Sequence, residues 1–313
     1  MISRRSLLKG IGAASAGLML PVVACSGKVT DKKTAIRYCL NTSTISEGTS
    51  LVDRIEIAAK AGYDGIELWV SDVQQYIANG NSAASLKKLL DERHLKVENA
   101  IGFAQWIVDD NDTRKTGFEQ MESEMRMLAE TGCTRVAAPP AGAYSGELLD
   151  LDIVAQRYRA LIELGLKTGV MPQLEIWGAS ANMSRLAQAL YVAAAANHPQ
   201  ARVLADVFHL YRGHSYFDGL NVLSGTACDI FHINDYPFAD APEQLSDSDR
   251  VFPGAGVAPY NKIAAWVHQL GGEIVLSLEL FNQEYWKRDP LEVASEGLNR
   301  MKKIFSCDSD RLL

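Results

Sequence analysis

Short apolar runs alternate along the chain with longer segments whose apolar residues recur at helical spacing. From residue 35 onward, eight of these runs have the length and the β-branched and aromatic content of buried strands. The predicted strands are Ile36–Asn41, Gly65–Trp69, Lys96–Ile101, Arg135–Ala138, Met171–Ile176, Arg202–Asp206, Asp229–Asn234 and Ile274–Glu279. The predicted helices are Leu51–Ala61, Ser85–Arg93, Phe118–Glu130, Ile153–Thr168, Met183–Ala196, Tyr260–Leu270 and Pro290–Ile304. This alternation predicts parallel strands joined by helices.

Glycines end several of the predicted helices shortly before the next strand. Gly62, Gly132 and Gly271 occupy such positions, where a left-handed residue stops a helix. Eight strand–helix units over about 280 residues are what a (β/α)8 barrel needs, and a GxGxxG motif does not follow the first strand, which disfavours a dinucleotide-binding sheet. We therefore predict a single α/β domain, a (β/α)8 TIM barrel, over residues 35–305. The connection 235–259, rich in Pro, Asp and Gly, is a candidate lid.

The N-terminal segment differs in composition from the rest of the chain. The protein has 313 residues, is 47% hydrophobic and carries a net charge of −7, a composition typical of globular proteins. Arg4, Arg5 and Lys9 precede an uncharged run, residues 11–25, that is too short to cross a ~30 Å membrane core comfortably. A basic start and a short apolar run are typical of an export signal, and residues 3–9 resemble the twin-arginine motif. Beyond residue 24 the charge is about −10, which disfavours nucleic acid as a partner.

The end of this segment resembles a lipobox. In Val22-Val23-Ala24-Cys25 the cysteine would be lipidated, whereas an ordinary signal cleaved nearby would leave Cys25 incidental. We predict an export signal over residues 1–25, a linker over 26–34 and a C-terminal tail over 306–313. The expected location is the periplasm, with membrane contact only through a lipid anchor on Cys25. The oligomeric state stays open, and a homo-oligomer is compatible with the sequence.

Four consecutive predicted strands carry one ionisable residue each near their carboxyl ends. These residues are Glu175, Asp206, His232 and Glu279. The strand ends of a barrel meet at one mouth, and burying several carboxylates there is costly without a cation. A divalent metal ion would remove that cost. Three carboxylates and one imidazole suit Mn²⁺, Mg²⁺ or Co²⁺ better than a metal that prefers thiolates, and Zn²⁺ is also compatible.

Structural explanations exist for each of these residues taken singly. A strand-end carboxylate often caps a helix or pairs with an arginine, and a buried histidine is usually satisfied within the core. Four such residues on four consecutive strands are harder to explain in this way. Glu67 and Glu98 are also candidates for the pocket, although a supporting ion pair, behind the site or at the barrel mouth, is the favoured interpretation. Aromatic residues near strand ends form either a wall for a sugar face or part of the core: Trp69, Phe103, Trp106 and Trp177.

The most specific motifs are Leu174-Glu175, Asp206-Val207-Phe208-His209, Phe231-His232-Ile233-Asn234-Asp235, Arg250-Val251-Phe252-Pro253-Gly254-Ala255-Gly256 and Leu278-Glu279. With them, residues 35–305 resemble the xylose isomerase-like TIM-barrel superfamily, in the sugar isomerase/epimerase branch that includes ketose 3-epimerases and inositol-catabolism enzymes. The resemblance implies that one divalent metal is bound by Glu175, Asp206, His232 and Glu279. It also implies an acid/base pair, Glu175 and Glu279, and substrate contacts by His209 and Arg250. Trp69, Phe103 and Trp177 are the candidate aromatic contacts.

The reaction implied by the resemblance is proton transfer beside a carbonyl group. A metal would stabilise the enediolate, and proton return would give an epimer or an isomer, whereas loss of a β-hydroxyl would give a lyase product. Ketose 3-epimerases usually carry a further glutamate soon after the first ligand, but residues 177–182 contain no acid, so the sugar stays open. We expect a metal-dependent sugar isomerase/epimerase acting on a keto-sugar or related carbohydrate. The alternatives are a lyase, dehydratase or hydrolase acting on an oxidised sugar or inosose, and a non-catalytic periplasmic carbohydrate-binding lipoprotein.

Overall fold

The structure is a computed structural model that describes residues 34–45 and 48–306. The predictions for the export signal, including Arg4, Arg5 and Cys25, lie outside the described residues, as does the tail beyond residue 306. Within the described ranges, none of the helices combines the length and the apolar character needed to cross a membrane.

Eight parallel strands form a nearly closed barrel, so the predicted TIM-barrel fold is confirmed. Their order around the sheet is β3-β2-β1-β8-β7-β6-β5-β4, and β3 lies beside β4 where the ring closes. The strands are β1 (Ala35–Asn41), β2 (Gly65–Trp69), β3 (Lys96–Ile101), β4 (Arg135–Ala138), β5 (Met171–Glu175), β6 (Val203–Asp206), β7 (Ile230–Ile233) and β8 (Glu273–Leu278). Each differs from its predicted bounds by one residue or less at either end.

The helices surround the barrel. They are α1 (Leu51–Ala61), α2 (Val70–Ala78), α3 (Ala83–Glu92), α4 (Asn111–Glu130), α5 (Leu151–Thr168), α6 (Leu186–Ala195), α7 (Val207–Arg212), α8 (Tyr260–Gln269), α9 (Gln283–Trp286) and α10 (Pro290–Phe305). Short 3₁₀ turns cover Thr42–Ile45, Phe217–Val222, Pro242–Gln244 and Asp247–Asp249. The sequence analysis missed α2, α7 and α9 because they are short and two of them begin directly after a strand, where no loop separates the two periodicities.

Helix boundaries follow local capping rather than the apolar pattern alone. Helix α4 begins seven residues before its predicted start because the Asp110 side chain accepts a hydrogen bond from the Thr113 backbone N–H and caps a polar first turn. Helix α6 begins later than predicted because Met183 has a φ of 57°, which is incompatible with a right-handed helix. The predicted helix-ending glycines Gly62, Gly132 and Gly271 all have positive φ angles.

The barrel interior is layered along its axis. Its middle is an apolar cluster made of Cys39, Ile101, Ala137, Leu204, Ile230 and Val275. At the amino-terminal end, the buried Glu98 carboxylate pairs with Arg37 (Nε–Oε1, 2.7 Å) and Arg135 (Nη1–Oε2, 3.3 Å). Glu98 therefore closes the end of the barrel opposite the predicted site, as an ion pair. Gly65 leaves room for it, because a Cβ there would lie 2.5 Å from Glu98 Cγ.

Candidate metal centre

Asp206, His232 and Glu279 converge at the carboxyl end of the barrel. They stand at the ends of β6, β7 and β8, and their ligating atoms lie within 4.8 Å of one another. His232 Nδ1 lies 3.2 Å from Glu279 Oε2 and 3.6 Å from Asp206 Oδ2. All three side chains are buried. The fold thus brings three of the four predicted ligands into one cluster, called here the triad.

Glu175, the fourth predicted ligand, ends β5 and lines the cavity beside the triad. Its side chain is buried, and its Oε2 atom has no hydrogen-bond partner among the described residues. Burial raises the pKa of Glu175 to about 8; the charges of Glu279 and Glu67 add to this effect, and His232 opposes it. Its role as a ligand stays a prediction.

The donor set fits a divalent cation. Asp206 and Glu279 offer carboxylate oxygens, and the buried His232 Nδ1 atom makes no hydrogen bond within the described residues. Because an unpartnered buried polar atom is costly, the free Glu175 oxygen in the cavity wall next to these acids points to a group that would bind them together. Asp206, His232 and Glu279 would hold such an ion, and Glu175 would complete the set.

Arg250 also contacts the triad. Its Nη1 atom donates to Asp206 Oδ2 (2.8 Å) and Glu279 Oε2 (2.7 Å), and its Nη2 atom contacts Asp247 Oδ1 (2.8 Å) and His209 Nε2 (3.1 Å). The guanidinium group is 1% exposed. The predicted substrate contacts His209 and Arg250 thus lie together, and Arg250 is tied to two predicted metal ligands.

The connection 235–259, interpreted above as a candidate lid, positions Arg250. Asp235 anchors this connection, because its carboxylate accepts hydrogen bonds from the backbone N–H groups of Gly254, Gly256 and Ala258. An antiparallel bridge joins Asp235 to Val251, next to Arg250. Within the described structure this connection is therefore a framework for the site, and its closure as a lid stays a prediction.

Asp206 has two structural roles in addition to its place in the triad. Its Oδ1 atom accepts the His209 backbone N–H (2.8 Å) and caps α7, while Oδ2 accepts from Asn234 Nδ2 (3.0 Å) and Arg250. Burial alone would raise the pKa of Asp206, but the charge of Arg250 and the nearby His232 hold it well below its usual range. Asp206 therefore caps a helix and pairs with an arginine, the two structural roles expected for a strand-end acid, and it also belongs to the triad.

The two histidines differ in charge. Burial lowers the pKa of His209 to about 4, so its imidazole is neutral at pH 7. Burial would also lower the pKa of His232, but the carboxylates of Glu279 and Glu67 raise it well above its usual range. In the metal-free protein, His232 is therefore the cation that offsets these acids.

Glu67 lies behind His232, on the side away from the cavity. Its Oε1 atom lies 3.0 Å from His232 Nε2 and accepts from Asn99 Nδ2 (2.7 Å), while Oε2 accepts from Asn41 Nδ2 (2.8 Å) and Ser277 Oγ (2.6 Å). Because Nε2 faces Glu67, Nδ1 faces the triad, which is the usual arrangement of a metal-binding histidine. The ion pair expected for Glu67 thus lies inside the barrel, with His232.

Asn41 connects this network to the cavity. It donates to Glu67 and to Glu279 Oε1 (3.0 Å), and its own oxygen accepts from Trp69 Nε1 (3.0 Å). The sequence analysis missed Asn41 because a single asparagine at a strand end resembles a turn signal. Only the pairing of β1 with β2 and β8 brings it between these carboxylates.

Aromatic rings form one wall of a cavity of about 260 Å³ above the triad. Trp69 lies 5.4 Å from Phe103 and 6.0 Å from Phe281, and Trp177 lies 6.0 Å from Phe103 and 6.3 Å from Tyr144, all between ring centroids. The three predicted aromatic contacts thus meet, whereas Trp106 is core and donates to the Pro139 carbonyl. Phe281 was not among the predicted aromatic contacts, although its position two residues after Glu279 marks it in the sequence as an aromatic residue at a strand end. Tyr144 lies on a loop, and no sequence pattern marks it as part of the cavity.

A barrel whose ionisable side chains and cavity lie at the carboxyl ends of its strands belongs to the class of TIM-barrel proteins that place their active sites there. More specifically, the chain belongs to the xylose isomerase-like TIM barrel family, whose sequence profile matches residues 55–304.

Individual members of this family resemble the whole barrel. The chain is 27% identical to an inosose isomerase of Bacillus velezensis over 265 residues, covering 80% of this chain and 91% of the relative. It is 23% identical to a 3-dehydroshikimate dehydratase of Pseudomonas putida over 273 residues, covering 83% of this chain and 40% of that relative. The crystal structure of the IOLI protein with a bound zinc atom superposes with a TM-score of 0.79 at 23% identity, covering 86% of this chain and 98% of that one.

We expect Glu67→Gln to weaken binding of a divalent metal by about 10- to 100-fold, because the amide no longer holds His232 Nδ1 toward the triad as strongly. Titration calorimetry with Mn²⁺ or Zn²⁺ measures the affinity. Glu124→Gln is the matched control, since Glu124 is equally buried, on α4, and bonds Gln120. Equal affinities in wild type and Glu67→Gln would contradict this role.

We expect metal-free Glu175→Gln to become more stable relative to wild type as the pH rises from 5 to 9. The folded-state pKa of Glu175 is about 8, above the unfolded value of about 4.3, so the stability contributed by its neutral form is present below pH 4 and lost as the pH rises through 8. Glutamine stays neutral throughout. Urea unfolding with a chelator at both pH values measures the difference, with the exposed Glu119→Gln as control. A difference independent of pH would contradict the shift.

Proposed function

We propose that this protein is a divalent-metal-dependent isomerase or epimerase that moves a proton beside the carbonyl group of a keto-sugar or a related cyclic polyol ketone. One observation carries the proposal: Glu175 lines the same cavity as Glu279, which is a member of the triad. Two acidic side chains beside one reacting carbon allow one group to remove a proton and the other to return one.

The two glutamates are held differently. Glu279 accepts hydrogen bonds from Asn41 and Arg250, which are both donors, so its oxygens act as acceptors. Glu175 has one unpartnered oxygen, and burial favours its protonated form. In this proposal one carboxylate takes the proton from the carbon next to the carbonyl. The other carboxyl group returns a proton to the opposite face or to the adjacent carbon.

The remaining cavity residues orient the substrate. Arg250 and the neutral His209 offer hydrogen-bonding nitrogens to substrate oxygens, and the aromatic wall packs against the apolar face of a ring. A divalent metal, when bound, would polarise the substrate carbonyl and stabilise the negative charge that develops on deprotonation. Zinc in a structure of the same fold supports a divalent ion, and the inosose isomerase relatives support a polyhydroxylated cyclic ketone as the class of substrate.

We expect the wild-type protein, incubated with Mn²⁺, Mg²⁺, Co²⁺ or Zn²⁺, to introduce deuterium from D₂O into one C–H position of a ketose or an inosose. Proton NMR and mass spectrometry identify the carbon. We expect Glu279→Gln to lower exchange by about 100-fold or more, because it removes one proton-transfer group. Glu124→Gln, which changes a buried carboxyl group away from the cavity, is the control and retains exchange.

Metal content is measured in the same variants, so that loss of the ion and loss of proton transfer are distinguished. Bound metal with no deuterium in any ketone of the panel would contradict the proposal. Elimination of water from 3-dehydroshikimate instead would favour a lyase, the activity named for the Pseudomonas putida relative.

The proposed location is outside the cytoplasm, on the basis of the basic and apolar pattern of residues 1–25. We expect Arg4→Lys combined with Arg5→Lys to leave the protein in the cytoplasm, because twin-arginine export reads the arginine pair. Immunoblots of fractionated cells measure this, and Lys9→Arg is the control that keeps the charge. Unchanged export of the double variant would mean that a different route carries the protein.

A further inference from the structure

Arg212 is a cation of the cavity that the proposed reaction does not use. It is the last residue of α7, which begins directly after Asp206, and its side chain lines the cavity together with Trp177, Asp247 and Arg250. The sequence analysis did not single it out, because an arginine at the end of a short helix is an ordinary surface feature. Its side chain can therefore contact a molecule bound in this cavity.

The guanidinium group of Arg212 has no anion beside it. Among the described residues Arg212 takes part in no side-chain hydrogen bond and no ion pair, and its Nε atom is buried without a partner. Arg250, in contrast, pairs with Asp206, Asp247 and Glu279. Of the acids that line the cavity, Asp247 and Glu279 are thus already engaged by the other arginine.

Two structural explanations account for only part of this arrangement. The guanidinium carbon lies 5.9 Å from the ring centroid of Phe208, a distance at the outer limit of a cation–π contact. A basic residue also stabilises a helix carboxyl end, but α7 has only six residues. Neither contact satisfies a buried N–H group, which is costly to leave without an acceptor.

The backbone around Arg212 is closely packed against the segment that follows Glu175. A Cβ on Gly178 would lie 2.4 Å from the His209 carbonyl oxygen and 2.9 Å from Arg212 Cβ. Glycine at 178 is therefore required for the segment after Trp177 to pack this closely against the carboxyl end of α7. Residues 177–182 contain no acid, so this neighbouring segment supplies no carboxylate to Arg212.

We propose that Arg212 binds an anionic group of the substrate, so that the substrate is a polyhydroxylated ketone carrying a carboxylate or a phosphate. This inference rests on the proposed function and narrows its substrate class. A guanidinium group binds either anion through two parallel hydrogen bonds, which the terminal N–H groups of Arg212 would donate from the cavity wall. The anion would lie beside Arg212 in the cavity.

The test uses ligands that cannot react, so that binding is separated from catalysis. The metal-loaded protein is titrated by calorimetry with three probes that share one carbon chain: D-glucitol, D-gluconate and D-glucitol 6-phosphate. We expect at least one anionic probe to bind wild type about tenfold or more tightly than D-glucitol, and the preferred anion identifies the group. We expect Arg212→Gln to remove this preference and Arg212→Lys to keep part of it.

Two controls make the result specific. Arg126→Gln, an exposed arginine on α4 paired with Glu122, removes the same charge far from the cavity and should leave the preference unchanged. Binding of D-glucitol by Arg212→Gln with unchanged affinity shows that the cavity is intact. Equal affinities of wild type for neutral and anionic probes, or an equal loss for all three probes in Arg212→Gln, would overturn the inference.

The failure of this inference is distinguishable from the failure of the proposed function. Deuterium exchange in a neutral ketose or inosose without any preference for anions would support the proton-transfer reaction and reject the role of Arg212. A preference for anions without exchange in any ketone would support Arg212 and reject the reaction.

Discussion

The concentration of buried acids at one end of the barrel is the constraint on which the rest of this structure depends. Glu67, Glu175, Asp206 and Glu279 are all buried there. Carboxylates in so small a volume repel one another and lose hydration, so they need cations and donors close by. Arg250 and His232 supply charge, and Asn41, Asn99, Asn234 and Ser277 supply donors. Glu175 is the member of this group left with an unpartnered oxygen.

This network explains how a barrel made of short strands positions its site. Several strands contribute polar interior side chains near their carboxyl ends, and hydrogen bonds between strands hold most of these side chains in place. Asn41 on β1, for example, binds Glu67 on β2 and Glu279 after β8, so three adjacent strands share one interaction. Because Glu67, His232 and Glu279 are each held by other strands, the register of the barrel and the geometry of the site depend on each other.

The cavity above the triad combines two unlike surfaces. Its aromatic wall is held in part by polar contacts, since Trp69 donates to Asn41. A second, polar part of the lining consists of His209, Arg212, Asp247 and Arg250. A ligand that packs an apolar ring face on one side and presents oxygens or an anion to the other matches both surfaces. Proteins that share the same metal ligands can therefore differ in substrate through the residues that line this cavity.

Local patterns were sufficient to predict the fold and to single out candidate residues for the site. The alternation of apolar runs and helical segments predicted the barrel, which is confirmed, because strand and helix periodicities are properties of neighbouring residues. Glu175, Asp206, His232 and Glu279 were recognisable because an ionisable residue in an apolar strand is locally anomalous. Asn41 behind Glu279, the tie between Arg250 and Asp206 and the missing partner of Arg212 were not recognisable. These depend on contacts between residues far apart in the chain, and only the closure of the barrel brings such residues within hydrogen-bonding distance.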